Sequence, residues 1–279
     1  MKPYLLLLPA LLLLAACKPC DDPANPECPN YCVDETNPKC PNYDPCWDQL
    51  EVSAAFVMEE EVGSFAYVDT LYYLATDTAL EGNHVWFRAL QEAERYEWKI
   101  GTDSRIFNKR EFALFFRDPA EVQVTLAVQR TPNTQCYPGD NGLDTVRRRL
   151  VIVPRDQAAI VGVYRGAATA APQEVYEMEI FRRYLLADST KFDRYRLTGV
   201  HPGCDNTERY DVMTTDAAFR GFVFSTRGPD TTTGCFLSWG AAMLSPAGDS
   251  LEVRFRKYKS FSPPALLPGT IVFKGSRIE

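Results

Sequence analysis

Leu251-Glu252-Val253-Arg254-Phe255-Arg256 decides the fold. Apolar and charged residues alternate through it without a break. Successive side chains of an extended chain point to opposite faces, so this segment is a strand with one buried and one wet face. Tyr176-Glu177-Met178-Glu179-Ile180 repeats the pattern upstream. No window sustains a helical period over more than a few turns, and the chain reads as all-β.

Working outward, the second half of the chain, 155–279, carries about eight candidate strands: 160–168, 174–185, 192–198, 208–214, 219–225, 235–243, 250–257 and 269–278. Half-wet strands joined by short polar loops suit an antiparallel meander that closes on itself and so removes its edges. The preceding block, 46–154, holds seven short strands: 51–58, 64–73, 84–89, 95–99, 111–116, 121–129 and 147–153. That number over about a hundred residues fits a β-sandwich.

Two resemblances refine this reading. Tyr96-Glu97-Trp98-Lys99-Ile100-Gly101-Thr102-Asp103, followed by Val122-Gln123-Val124-Thr125-Leu126-Ala127-Val128, resembles a PKD domain, an immunoglobulin-like sandwich. Trp98, Gly101 and Asp103 fall on the family's Trp strand and Gly-Asp turn, and Val85 and Phe87 match its preceding strand. The turn departs from the family by lacking a second glycine. Trp98 reads as a core anchor, with an exposed sugar-stacking platform as its alternative. Gly162-Val163-Tyr164-Arg165-Gly166 and Phe273-Lys274-Gly275-Ser276-Arg277-Ile278 resemble the first and last strands of lipocalin-like bacterial lipoprotein domains. That resemblance implies an antiparallel barrel in which Tyr164 and Arg277 pack over the base.

The amino terminus supplies the address. Lys2 is the single charge before an apolar run from Tyr4 to Ala16, too short to span a bilayer comfortably. Leu14-Ala15-Ala16-Cys17 resembles a bacterial lipobox. The resemblance implies a signal peptide over 1–16 and a diacylglycerol thioether on Cys17. A plain signal peptide with an incidental Cys17 is the alternative. Two acyl chains and an N-acyl group, at ~0.8 kcal/mol per buried methylene, would hold the protein on its membrane.

Residues 17–45 form a stalk rich in Pro, Asn and Asp with almost no aliphatic side chains, which cannot bury a core. Asn25-Pro26-Glu27-Cys28-Pro29-Asn30-Tyr31 recurs as Asn37-Pro38-Lys39-Cys40-Pro41-Asn42-Tyr43, a duplicated turn element. From Lys18 to Leu50 two basic residues stand against seven acidic ones, a net of −5. Lys18, Asp21 and Asp22 soon after the lipobox resemble the export signal of Bacteroidota-type lipoproteins. This implies an outer-membrane, cell-surface location, with the periplasmic face as the alternative.

The nine cysteines are odd in number, and Cys17 accounts for the odd one. Cys20, Cys28, Cys32 and Cys40 are disulfide candidates within the stalk. A zinc site is their alternative, disfavoured by x7, x3 and x7 spacings and by an oxidising compartment. Cys46 and Cys136 flank the first β block and are expected to pair. Cys204 with Cys235 is the pair expected in the second.

The net charge of −7 gives no basic surplus to neutralise a phosphate backbone, so nucleic acid is not an expected partner. The two histidines, His84 and His201, leave little for a triad or a multi-histidine metal site. No G-x-S-x-G, H-E-x-x-H, Walker A or dinucleotide fingerprint is present. No catalytic residue, cofactor or metal is expected. Glu59-Glu60-Glu61 reads as a solvated loop or edge guard rather than a calcium cluster, Arg147-Arg148-Arg149 as a strand with a charged face, and Asp140-Asn141-Gly142 as a turn.

The sequence therefore predicts a non-catalytic, membrane-anchored envelope lipoprotein presenting its β domains to a protein or a glycan. The second expectation is carriage of a small apolar ligand in the barrel; the third is an accessory role in glycan processing. The ligand-binding residues are not specified by the sequence. Phe181, Tyr184, Phe219, Phe222, Phe224, Phe236, Trp239 and Phe255 would line a cavity under the carrier reading, or fill the core.

Overall fold

The computed structural model describes residues 36–38, 40, 42–63, 72–185, 188–200, 217–225, 237–261, 264–266 and 269–278. Cys17, Cys20, Cys28, Cys32, Cys204, Cys235, His201 and the expected strand 208–214 lie outside them. The fold is all-β. Among the described residues the one helical element is the 3-10 turn Arg155–Gln157.

The chain divides into two compact units, Met1–Ser53 with Arg130–Leu143 and Ala54–Gln129 with Asp144–Glu279. In the first, Cys46 and Cys136 form a disulfide with their Cα atoms 5.5 Å apart. Around it, the Tyr137 hydroxyl donates to the Gln49 carbonyl at 2.8 Å, and Asn133 Nδ2 to Gln49 Oε1 at 3.1 Å. Asp140 is buried and accepts from the Val52 and Gly142 amides at 2.8 Å each. Gly142 sits at φ +78°, where a side chain would also press on the Arg130 carbonyl oxygen. Asp140-Asn141-Gly142 is thus a turn whose carboxylate is committed to backbone amides.

The second unit opens with two four-stranded sheets. The first runs β2 (Tyr72–Ala75), β1 (Phe56–Gly63), β4 (Asn83–Ala89), β6 (Glu111–Phe116), antiparallel throughout. The second runs β3 (Thr78–Leu80), β8 (Leu143–Val153), β7 (Ala120–Gln129), β5 (Arg95–Ile100). Alternation puts Val122, Val124, Leu126 and Val128 on the buried side of β7 and Val85, Phe87 and Ala89 on that of β4. Trp98 of β5 binds the sheets together: its ring meets Phe56 of β1 at 5.1 Å and Phe112 of β6 at 5.5 Å, both edge-on. It is fully buried, and its indole N–H donates to the Lys109 carbonyl at 2.9 Å. The core-anchor reading of Trp98 holds, and the exposed-platform reading does not. The β3–β8 pair is parallel and involves three residues, too few for an alternation signal in the sequence.

The third sheet follows the order β11 (Asp188–Thr198), β10 (Val175–Leu185), β9 (Gly162–Ala168), β17 (Ile271–Arg277), β15 (Ser250–Phe261), β14 (Leu237–Leu244), β13 (Gly221–Ser225), β12 (Ala217–Ala218), with β16 (Pro264–Leu266) beside β15. It curls. The first and last of its strands, β9 and β17, pair antiparallel, and the described residues form a curled half-barrel in which no pairing joins β11 to β12. Its concave side is filled: Tyr164, Met178, Ile180, Tyr195, Leu197, Phe222, Phe224, Phe255 and Phe273 form one buried cluster with Leu80 of β3. Each such side chain removed from water contributes about 1.5–3 kcal/mol. The predicted lining aromatics Phe222, Phe224 and Phe255 are core residues.

Two glycines let this sheet pack. Gly166 of β9 faces Gly275 of β17, and a Cβ on Gly166 would overlap the Lys274 carbonyl and the Gly275 Cα. Gly240 of β14 lies between Phe224 and Phe255, whose atoms would stand 2.9 and 2.7 Å from its Cβ. The neighbouring backbone, with the Phe255 Cβ and the edge of the Phe224 ring at Gly240, occupies the space a side chain would take.

Candidate functional site

One strand serves two cores and one open surface. On β1 the even-numbered side chains face inward. Phe56 and Met58 enter the sandwich core, and Val62 packs on Ala218, Val223 and Ala241 at the convex side of the third sheet. Between them Glu60 is 1% exposed. Its carboxylate accepts from the Leu80 amide at 2.8 Å, Asn83 Nδ2 at 2.7 Å and the Phe219 amide at 2.7 Å. Asn83 Nδ2 also donates to the Ala217 carbonyl at 2.5 Å. Burial pushes the Glu60 carboxyl up to about 7, against the opposing pull of those donors and of the Arg220 charge. The reading of Glu59-Glu60-Glu61 as a solvated loop or edge guard is corrected here. The run lies inside a strand, and pleating sends its middle member into the junction of the two β blocks.

The outward residues of the same strand, Glu59 and Glu61, belong to the outer face of the first sheet. Register sets Glu61 opposite Tyr73 of β2, Glu59 opposite Trp86 of β4, and His84 of β4 opposite Phe115 of β6. Tyr73 and Trp86 meet edge-on at 5.8 Å, and His84 and Phe115 at 5.2 Å. Trp86 Nε1 donates to Glu61 Oε2 at 3.3 Å. Arg88 grips Glu59 through two hydrogen bonds of 2.8 and 2.9 Å. Tyr73 is 37% and Phe115 49% exposed, on the two edge strands of the sheet. Burial, then the charges of Glu61, Glu59 and Glu111, hold the Tyr73 phenol above its ordinary range. Three carboxylates therefore direct a negative field onto an open aromatic surface.

The other residues singled out in the sequence have structural partners. Arg147 and Arg149 are exposed, whereas Arg148 turns to donate to the Phe56 carbonyl at 2.8 Å and pair with Asp77 at 2.5 Å. Gly101 takes φ +53° at the turn after β5, and Asp103 pairs with Arg105 at 2.6 Å. Tyr164 and Arg277 meet: Arg277 Nη2 donates to the Tyr164 hydroxyl at 2.6 Å, to the Val161 carbonyl at 3.2 Å and to that of Ala159. The Tyr164 hydroxyl donates to the Ile160 carbonyl at 2.8 Å. Cys40 is disulfide-bonded. Among the described residues no three His, Cys, Asp or Glu side chains gather as a metal site.

Polar clefts also mark the outer faces of the other two sheets. One of about 510 Å³ includes Arg165, Ser245, Glu252, Lys274 and Ser276, and one of about 440 Å³ includes Glu97, Lys99, Thr125, Thr145 and Arg147. Their acidic members are already engaged: Glu252 with Arg254 and Lys274, and Glu97 with Arg95 and Lys99. The first-sheet face joins exposed aromatic side chains with Glu61 and Glu111, which no ion pair engages among the described residues. Tyr73, Trp86 and Phe115 were not singled out in the sequence, because the register that brings β2, β4 and β6 together is not encoded locally. No protein-family model, curated protein or solved structure matches the chain.

Proposed function

We propose that the chain is a membrane-anchored envelope lipoprotein that binds a partner without catalysis, held by an acylated Cys17 on the outer membrane and presenting its β blocks at the cell surface. The observation that carries the binding part is the open face of Tyr73, Trp86, His84 and Phe115. Monomeric surfaces seldom leave contiguous aromatics in water without use. In this reading the sandwich is a PKD-like, immunoglobulin-like module and the half-barrel a lipocalin-like one. What supports them is Trp98 between the sheets and the β9–β17 pairing, with Arg277 over the Tyr164 ring at 5.3 Å. The filled concave side of the third sheet favours a binding module over a carrier of apolar ligands.

The anchor is tested by growing the source cells with an alkyne-tagged fatty acid. The wild-type chain takes the label and sediments with membranes, and protease added to intact cells removes it. Cys17→Ala loses the label and becomes soluble. Equal labelling of both chains would overturn the anchoring, and protection from added protease would place the protein on the periplasmic side.

A further inference from the structure

The outer face of the first sheet has a chemistry that selects among partners. It is an open sheet surface, built from four paired strands about 14 Å across at the usual ~4.8 Å spacing. It carries Glu59, Glu61 and Glu111 against Arg88. Arg88 is spent on Glu59. Among the described residues, Glu61 and Glu111 form no ion pair, although Glu111 lies opposite Arg88 in the register. Glu61 lies beside the Tyr73–Trp86 pair, where a positive group would meet a carboxylate and the faces or edges of two rings at once.

We infer that this face docks a basic polypeptide, whose Lys or Arg side chains seat against Tyr73, Trp86 and Glu61; the inference rests on the binding-module reading above. Other occupants fit less well. A second copy would bring like charges together, an anionic bilayer would be repelled, and a neutral glycan would use the rings but leave the field of the carboxylates unanswered. A small free cation is held best in a concave cage, which the open face of a sheet does not offer. A protein surface matches the breadth of the face and its mixture of aromatic and charged side chains. Exposed Phe115 and His84 extend the contact to the far edge of the sheet.

The test titrates the full chain in detergent micelles with a ten-residue peptide of alternating arginine and glycine, and separately with a neutral chitin trisaccharide. Circular dichroism confirms the fold of each variant. The peptide is expected to bind, salt to weaken it, and Glu61→Gln and Tyr73→Ala each to raise its Kd about 3–10-fold. Glu121→Gln, an equal loss of charge on the second sheet, is expected to leave Kd within twofold. Glu61→Gln preserves shape and carries the test if Tyr73→Ala misfolds. Equal weakening by Glu121→Gln would reduce the effect to net charge and overturn the inference. Peptide binding indifferent to all three variants would overturn this surface while leaving a binding module elsewhere. Binding of the trisaccharide alone would overturn the basic partner, and binding of neither probe would take the inference and the binding-module reading together.

Discussion

The Glu60 carboxylate and the Phe219 amide, 159 positions apart in the chain, are joined by a partly buried hydrogen bond of 2.7 Å. This contact ties β1 of the sandwich to the turn between β12 and β13 of the half-barrel. With Leu80 and Asn83 it makes Glu60 the polar pin of an otherwise apolar junction.

Stability is predicted to fall as pH rises through the Glu60 transition. The unfolded carboxyl titrates near 4.5 and the folded one at about 7, so between these values the folded state holds the proton more tightly. The contribution is fully present below the lower value and lost as pH climbs through the upper. At ~1.4 kcal/mol per unit it amounts to about 3 kcal/mol. Urea midpoints from pH 4.5 to 8 should decline for the wild type and flatten in Glu60→Gln. Parallel curves for the two proteins would dismiss the pin as a titrating group.

Removing the acceptor is a separate matter. Glu60→Ala leaves the Leu80 and Phe219 amides buried without their partner and should cost about 2–4 kcal/mol at pH 6. Hydrogen exchange at both amides should accelerate relative to that at Leu126 in the sandwich core. A loss below about 1 kcal/mol would mean that water replaces the carboxylate.

Tyr164 and Arg277 should be energetically coupled. Tyr164→Phe and Arg277→Met each remove the 2.6 Å bond between them, and the Arg277 change also abandons two carbonyls. A double-mutant cycle should return a coupling of about 1–2 kcal/mol. Strict additivity would show that the two side chains act independently.

Glycine packing makes a sharp contrast. Gly240→Ala drives a methyl into the Arg254 carbonyl, the Phe255 Cβ and the Phe224 ring, and should cost about 1–3 kcal/mol or more. Gly139→Ala, which meets nothing within 4 Å, should stay within about 0.5 kcal/mol. Thermal midpoints of the two variants decide it, and equal midpoints would contradict the close approach at Gly240.

What the sequence makes legible is local. Leu251, Val253 and Phe255 alternate with charges, and Trp98 stands alone among polar neighbours, so strand character and a core anchor follow from periodicity and size. Glu60 is hidden for the opposite reason. Three glutamates in a row look equivalent until the strand is known to be pleated and covered on one side. The surface of Tyr73, Trp86 and Phe115 is assembled from strands as much as forty residues apart, and only the observed register makes neighbours of them. The strand order of the half-barrel likewise lies beyond periodicity, which counts strands without saying which edges meet.

Docking through the first-sheet face is tested most directly on the anchored protein in intact cells, with a photo-crosslinking amino acid placed at Phe115 or, on the outer face of the second sheet, at Thr125. The account predicts a discrete adduct with a basic envelope protein from Phe115, lost on adding Glu61→Gln, and none from Thr125. An adduct from Thr125 but not Phe115, or one from Phe115 that survives Glu61→Gln unchanged, would contradict it.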